Sequence, residues 1–123
     1  MEFAINKDIL LKSISRAIGI IEKKTTLPIL SNILIEAKNS KIKITATDLD
    51  IIYSEEIPLQ KLKKEGSTTT SAIILYDILR KLEPNDEAYF SLQDVNKLGL
   101  ISGNSKFNLL CMPPDNFPLA DED

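Results

Sequence analysis

Histidine is absent from the 123 residues, and cysteine occurs once, at Cys111. The first absence excludes Ser-His-Asp and Cys-His nucleophile systems, imidazole acid–base chemistry and any zinc site that needs a histidine. The second excludes an intrachain disulfide and a multi-thiolate metal centre, and it suits a reducing, cytosolic setting. Glycine is scarce: Gly19, Gly66, Gly99 and Gly103 lie far apart, so neither G-x-x-x-x-G-K-S/T nor G-x-G-x-x-G can cradle a phosphate. Apolar runs are short, and no basic leader with an apolar core and cleavage site opens the chain. Neither a membrane-spanning helix nor a signal peptide is expected, and the reading is a soluble, cytoplasmic protein. A basic excess is missing too. Fifteen Lys and Arg stand against 18 Asp and Glu, giving a net charge of −3 and a pI near 5.0. That balance argues against holding DNA by bulk electrostatics, which requires many neutralised phosphates.

What remains is one domain's length of chain with 43% apolar residues, enough for a single core without metal or disulfide staples. Met1–Asn6 alternates apolar and polar residues, the period of a half-buried strand. From Lys7 to about Glu22 the period becomes helical, with Leu10, Leu11, Ile14, Ala17, Ile18 and Ile21 on one face. Asn6 is the candidate N-cap and Asp8 suits the first turn. Lys12, Arg16, Gly19 and Lys23 line the opposite face. After a crossover at Lys23–Pro28, strands are expected at about Ile29–Ala37, Lys41–Thr47 and Ile51–Leu59. In the middle one Ile42, Ile44 and Ala46 point inward and Lys41, Lys43 and Thr45 outward. Asn39-Ser40 and Asp48-Leu49-Asp50 are the turns. Lys61–Gly66 reads as an exposed connection.

The pattern then restarts. Ser67–Ser71 is β-prone. Ala72–Glu83 is helical, with Ile74, Leu75, Ile78, Leu79 and Leu82 on one face, Ser71 as N-cap and Pro84 as terminator. Strands follow at Ala88–Gln93, Lys97–Ser102 and Lys106–Cys111. Pro113–Asp123 shows no packing pattern and reads as a linker or tail. The order is a duplicated β-α-β-β-β unit with a period of about sixty residues, present in pattern rather than in sequence identity. An α+β fold follows, with two helices packed on one face of antiparallel sheet and their polar faces turned to the same side. The second helix contributes Arg80 there, flanked by Lys81 and beside Ile73, Tyr76 and Asp77. A mildly basic, helix-bearing surface is expected, with the acidic excess placed elsewhere.

Few residues carry candidate chemistry. Asp48 and Asp50 form the closest carboxylate pair in a turn, but hard cations want more oxygen ligands, and aspartate is a common turn former. Cys111 sits in an apolar strand run without a basic neighbour, as a buried inert thiol would. A basic amphipathic first helix could lie on an anionic membrane, but Asp8 and Glu22 interrupt its charge and its apolar face is needed for the core. Lys12, Arg16, Lys23, Lys24 and Arg80 are the remaining set. Basic residues converging from two helices point to a nucleic-acid surface, against the plain alternative of a solvated helix face.

Several stretches together resemble the amino-terminal domain of the bacterial sliding clamp, the beta subunit of DNA polymerase III. They are Met1-Glu2-Phe3, Leu10-Leu11-Lys12, Thr26-Leu27-Pro28-Ile29-Leu30-Ser31-Asn32, Thr45-Ala46-Thr47-Asp48-Leu49-Asp50, and Pro113 with Phe117-Pro118. The resemblance implies the DNA-clamp fold. It divides the chain into a clamp domain at 1–118 and the start of a linker at 119–123. Family members carry three such domains and dimerise head to tail into a ring around double-stranded DNA, with helices lining the hole. Lys12, Arg16, Lys23, Lys24 and Arg80 would then face the DNA backbone. Ile73 replaces a residue that is commonly basic there.

The same resemblance places the contact with a second protomer on Ile74, Lys97, Lys106, Phe107 and Leu109. It assigns binding of polymerase and clamp loader to second and third domains that this chain would lack. Such a protein would be a replication processivity factor, not an enzyme, with no cofactor and no membrane partner. The negative charge is compatible with that role, because topology rather than affinity holds a ring on DNA. Two other readings stay open: a protein-interaction domain without a DNA role, and a metal-dependent hydrolase using Asp48 and Asp50.

Overall fold

A computed structural model describes residues 1–21, 31–48 and 50–118. The elements are β1 (Glu2–Asn6), α1 (Lys7–Ile18), β2 (Asn32–Lys38), β3 (Lys41–Thr47), β4 (Ile52–Pro58), β5 (Lys61–Lys64), β6 (Gly66–Ser71), α2 (Ala72–Lys81), β7 (Glu87–Asp94), β8 (Lys97–Ser102) and β9 (Ser105–Met112). A short 3-10 turn follows at Pro114–Asn116. The expected crossover at Lys23–Pro28 and the linker at 119–123 lie outside the described residues.

Both helices begin where a side chain satisfies their first free amides. The Asn6 carbonyl oxygen accepts from the N–H groups of Asp8 and Ile9 at 2.9 and 3.1 Å, and Ser71 Oγ accepts from Ile74 N–H at 3.2 Å. The inner face of α1 is Leu10, Ser13, Ile14 and Ala17, and that of α2 is Ala72, Leu75 and Leu79. The α1 helix stops at Ile18, short of the expected Glu22, because Gly19 follows and its N–H turns back to the Arg16 carbonyl. The Asn39-Ser40 turn joins β2 to β3 with φ of 55° and 63°, both in the left-handed region.

The strands form an antiparallel sheet in the order β4-β3-β2-β6-β9-β8-β7-β1-β5. Its two outermost strands, β4 and β5, are separated in sequence only by Leu59 and Gln60, so the sheet curls around the helix pair. Each half lends its first strand to the other. The β1 strand pairs with β7 from Glu2↔Ser91 to Asn6↔Glu87, and β6 pairs with β2 from Asn32↔Ser71 to Ala37↔Gly66. The two halves therefore fold as one unit around a common core that includes Phe3, Ile14, Ile35, Ile44, Leu75, Leu79, Phe90 and Leu98. Phe3 and Phe90 stack across the β1–β7 seam, with centroids 5.1 Å apart.

Four expectations are corrected. Lys61–Gly66 is not a connection: Lys61–Lys64 pairs with β1 as an edge strand, and Gly66 opens β6. Thr45 points outward by parity and is nonetheless 2% exposed, one of several covered positions on the outer face of the first sheet half. Ile74 is 55% exposed rather than buried, since the inner stripe of α2 narrows to Ala72, Leu75 and Leu79. The segment after β9 does pack: Phe117 is buried and the 3-10 turn lies against β6.

Candidate nucleic-acid interface

The helices are tied to each other by charge. Lys7, at the first position of α1, is buried, and its Nζ donates to the Leu79 carbonyl at the end of α2 (3.1 Å), 3.2 Å from Asp8 Oδ1. A cation at a helix C-terminus is favoured by the axial dipole, and here it is a second donor to a carbonyl that also accepts from Leu82 N–H at 3.3 Å. Asp8 Oδ2 accepts from Asn85 N–H at 2.8 Å, and Lys7 N–H donates to the Asp86 carbonyl at 2.8 Å. The Asn85 amide holds the Asp8 carboxyl below its ordinary pKa. The start of α1 is thereby fixed to the end of α2. This brings exposed Lys12, in the second turn of α1, and exposed Arg80, in the last turn of α2, to the same end of the helix pair.

The surface expected to be mildly basic carries less free charge than its count of cations, because Arg16 is matched by Glu55 and Arg80 lies beside Asp77. Arg16 Nε donates to Glu55 Oε1 at 3.2 Å and to the Tyr53 hydroxyl at 3.3 Å, and Nη2 donates to Glu55 Oε2 at 2.7 Å. The Tyr53 hydroxyl in turn donates to Glu55 Oε1 at 2.6 Å. Arg16 first, then Tyr53, hold the Glu55 carboxyl down at about 2, and the same bonds push the Arg16 guanidinium up. Arg80 lies 5.2 Å from the centre of the Tyr76 ring and 3.7 Å from Asp77 Oδ1. Lys23 and Lys24 lie outside the described residues. Ile73 is 45% exposed beside this surface and brings no charge to it.

A second feature lies at β9. That strand pairs with β8 along its length but with β6 only at Thr69↔Met112 and Thr70↔Cys111. Among the described residues, Ser105–Leu109 thus has no strand on its β6 side, and at Leu110 the backbone carbonyl already accepts from Thr70 Oγ1 at 2.8 Å. Alongside it lies a groove of about 650 Å³ whose walls include Ile74, Asn108, Leu110 and Met112. Lys97 and Lys106 are exposed here and Phe107 is half-buried. Leu109 needs correction as a surface residue. It is 3% exposed, because strand alternation turns Phe107, Leu109 and Cys111 to the core, so at an edge it can offer only backbone. Besides Ile74, the most exposed apolar side chain at this groove is Leu110, 85% exposed, which the sequence analysis did not single out although its position in the β9 alternation marks it.

The remaining candidates have local roles. Asp48 Oδ1 accepts from the N–H groups of Asp50 and Ile51, both at 2.9 Å, and the Ile51 and Asp50 amides lower its pKa, as in an aspartate-built turn. Cys111 is buried, its thiol is 3.5 Å from the Val95 carbonyl, and burial pushes its pKa up.

Residues 1–121 match the family model described as DNA polymerase III beta subunit, N-terminal domain. Among curated relatives, the chain is 34% identical over 122 residues to the beta sliding clamp of Pseudomonas putida, covering 99% of this chain and 33% of that protein. It is 37% identical over 119 residues to the beta sliding clamp of Buchnera aphidicola, covering 97% and 32%. The chain thus spans about a third of the length of the curated relatives it matches. Two solved structures are similar over the whole chain: a sliding clamp (DNA polymerase III subunit beta) from Bartonella birtlesii, with TM-score 0.94 and 34% identity over 32% of that chain, and the pol III beta of Caulobacter crescentus, with TM-score 0.92 and 34% identity over 33%.

Proposed function

Since the chain belongs to the DNA polymerase III beta subunit family, matching its N-terminal domain, we propose that it is the first domain of a ring-shaped replication processivity factor. It encircles duplex DNA and tethers a replicative polymerase. The observation that carries this reading is the basic, helix-bearing surface, to which Lys12 and Arg16 come from α1 and Arg80 from α2. In this role the sheet supplies a rigid outer wall, and the helix face turns to the phosphate backbone together with Lys23 and Lys24. No bond is made or broken by this chain; the polymerase performs nucleotide transfer. The unpaired β9 edge, with Lys97, Lys106, Phe107 and exposed Ile74, receives a second protomer, which adds a strand to the sheet. Residues 1–118 form the domain and 119–123 begin the linker. Polymerase and clamp loader bind elsewhere in the full-length assembly, which works in the cytoplasm without a cofactor.

Weak contacts suffice for such a protein, because a closed ring stays on DNA by topology while each phosphate contact can be exchanged during sliding. Binding of the 123-residue chain to a fluorescent duplex at low salt, followed by anisotropy, tests the reading. Charge reversal at K12E/R80E abolishes the binding if the helix face meets DNA. Unchanged binding by that variant removes the DNA role and leaves a protein-interaction domain of clamp fold.

A further inference from the structure

Arg16 differs from the other basic groups of the helix-bearing surface, because its charge is already matched before any DNA arrives. Tyr53 and Glu55 alternate with Ser54 on β4, the outermost strand beside β3, and both reach across to α1. Glu55 grips the guanidinium through both carboxylate oxygens, the geometry in which an arginine–carboxylate pair is strongest and most directional. The Tyr53 hydroxyl accepts from Arg16 Nε and donates to Glu55 Oε1, closing a three-membered network. Arg80 is held otherwise: its contact with Asp77 is 3.7 Å, beyond a hydrogen bond, and both side chains are more than half exposed. A pair of that kind yields readily to a competing anion. Of the five N–H donors on the Arg16 guanidinium, those on Nη1 and the second on Nη2 are not used by Glu55 or Tyr53, and its side chain is 52% exposed.

We propose that Glu55 is a built-in counter-anion that positions Arg16 on the DNA-facing surface while withholding its charge from phosphate, so that Arg16 guides the duplex without gripping it. The inference rests on the DNA reading above. The neutral pair can offer a phosphate the remaining N–H groups but contributes little net charge, and so displaces few condensed cations from DNA. Glu55 acts through Arg16 and is a positioning residue; Tyr53 supports it.

The test is duplex binding of the chain by anisotropy between about 50 and 200 mM salt, for wild type, E55Q, R16A, E55Q/R16A, Y53F and K12E/R80E. Releasing Arg16 adds about one phosphate contact, a slope of about 0.9 in log–log form, so E55Q loses about 3.5-fold more affinity than wild type across that salt range. E55Q also binds several-fold more tightly at the low-salt end. E55Q/R16A, which removes both charges, returns affinity and salt slope to within about twofold of wild type because the pair it deletes is already neutral, whereas R16A alone leaves Glu55 as a bare carboxylate facing the duplex and weakens binding; a merely structural carboxylate would leave the salt slope unmoved. Y53F shifts both quantities in the same direction by less, and it carries the test if E55Q fails to melt cooperatively. An unchanged salt slope in E55Q, an E55Q/R16A variant that keeps the E55Q gain without Arg16, or no measurable binding by E55Q at low salt overturns the proposal. If those results appear while K12E/R80E still abolishes binding, only the counter-anion role falls. If K12E/R80E binds as wild type does, the DNA reading itself falls.

Discussion

Replacing Lys7 by methionine keeps the apolar stem and removes the ammonium that bonds the Leu79 carbonyl at 3.1 Å. Three effects compete. A hydrogen bond from a charged donor contributes about 1.5–3 kcal/mol, and a cation at a helix C-terminus adds about 0.3–1 kcal/mol. Against them stands the desolvation of an ammonium whose side chain is only 6% exposed, which methionine would not suffer. The Leu79 carbonyl keeps only the longer bond from Leu82 N–H at 3.3 Å, and Asp8 loses the cation 3.2 Å from its Oδ1, so the bond term governs and K7M is destabilised by about 1.5–3 kcal/mol. For a chain of this size that lowers Tm by roughly 5–12 °C. Thermal melting followed by circular dichroism reads the shift, with urea midpoints as the second measure. K12M, which removes an exposed lysine from the same helix, should stay within about 0.5 kcal/mol of wild type. A K7M protein melting at or above the wild-type temperature would show that burial of the charge outweighs its bond and that the helix pair is not held as argued.

Other consequences are equally direct. Because Arg16 and Tyr53 hold the Glu55 carboxyl at about 2 against an ordinary 4.5, its contribution to stability is complete above pH 4.5 and is lost as pH falls toward 2. Urea midpoints at about pH 5 and pH 2.5 should therefore fall further for wild type than for E55Q, and equal losses would refute the pairing. Phe90, fully buried and stacked on Phe3, closes the seam between β1 and β7; F90A should lose about 3–5 kcal/mol in equilibrium unfolding. Ser40 sits at φ 63° in the Asn39-Ser40 turn, where glycine has no steric penalty, so S40G should gain about 0.5–1 kcal/mol, read as a higher urea midpoint.

The strongly patterned elements were legible because their neighbours are close in sequence. The Ile42, Ile44 and Ala46 alternation placed β3, and Asn6 and Ser71 marked both helix starts correctly. The β5 strand was not legible: Lys61-Leu62-Lys63-Lys64 has one apolar residue, and an edge strand needs little burial to pair. The exchange of β1 and β6 between the halves is a choice of long-range partners on which local periodicity is silent. Lys7 reads as a surface lysine, and only the approach of α2 buries it. Likewise Arg16 and Glu55 lie 39 residues apart and become one unit only through the β4–α1 packing. Leu109 and Leu110 show the opposite case, where strict strand alternation, applied one residue at a time, would have separated the buried side chain from the exposed one.

The claim that the helix-bearing surface meets DNA is tested most directly by mapping amide NMR shifts of the chain during titration with a short duplex at low salt. The account predicts shifts concentrated around Lys12 and Arg16 of α1 and Arg80 of α2. Shifts gathered instead on Lys61, Lys63 and Lys64 of the exposed β5 edge, or spread evenly over surface lysines, would contradict it.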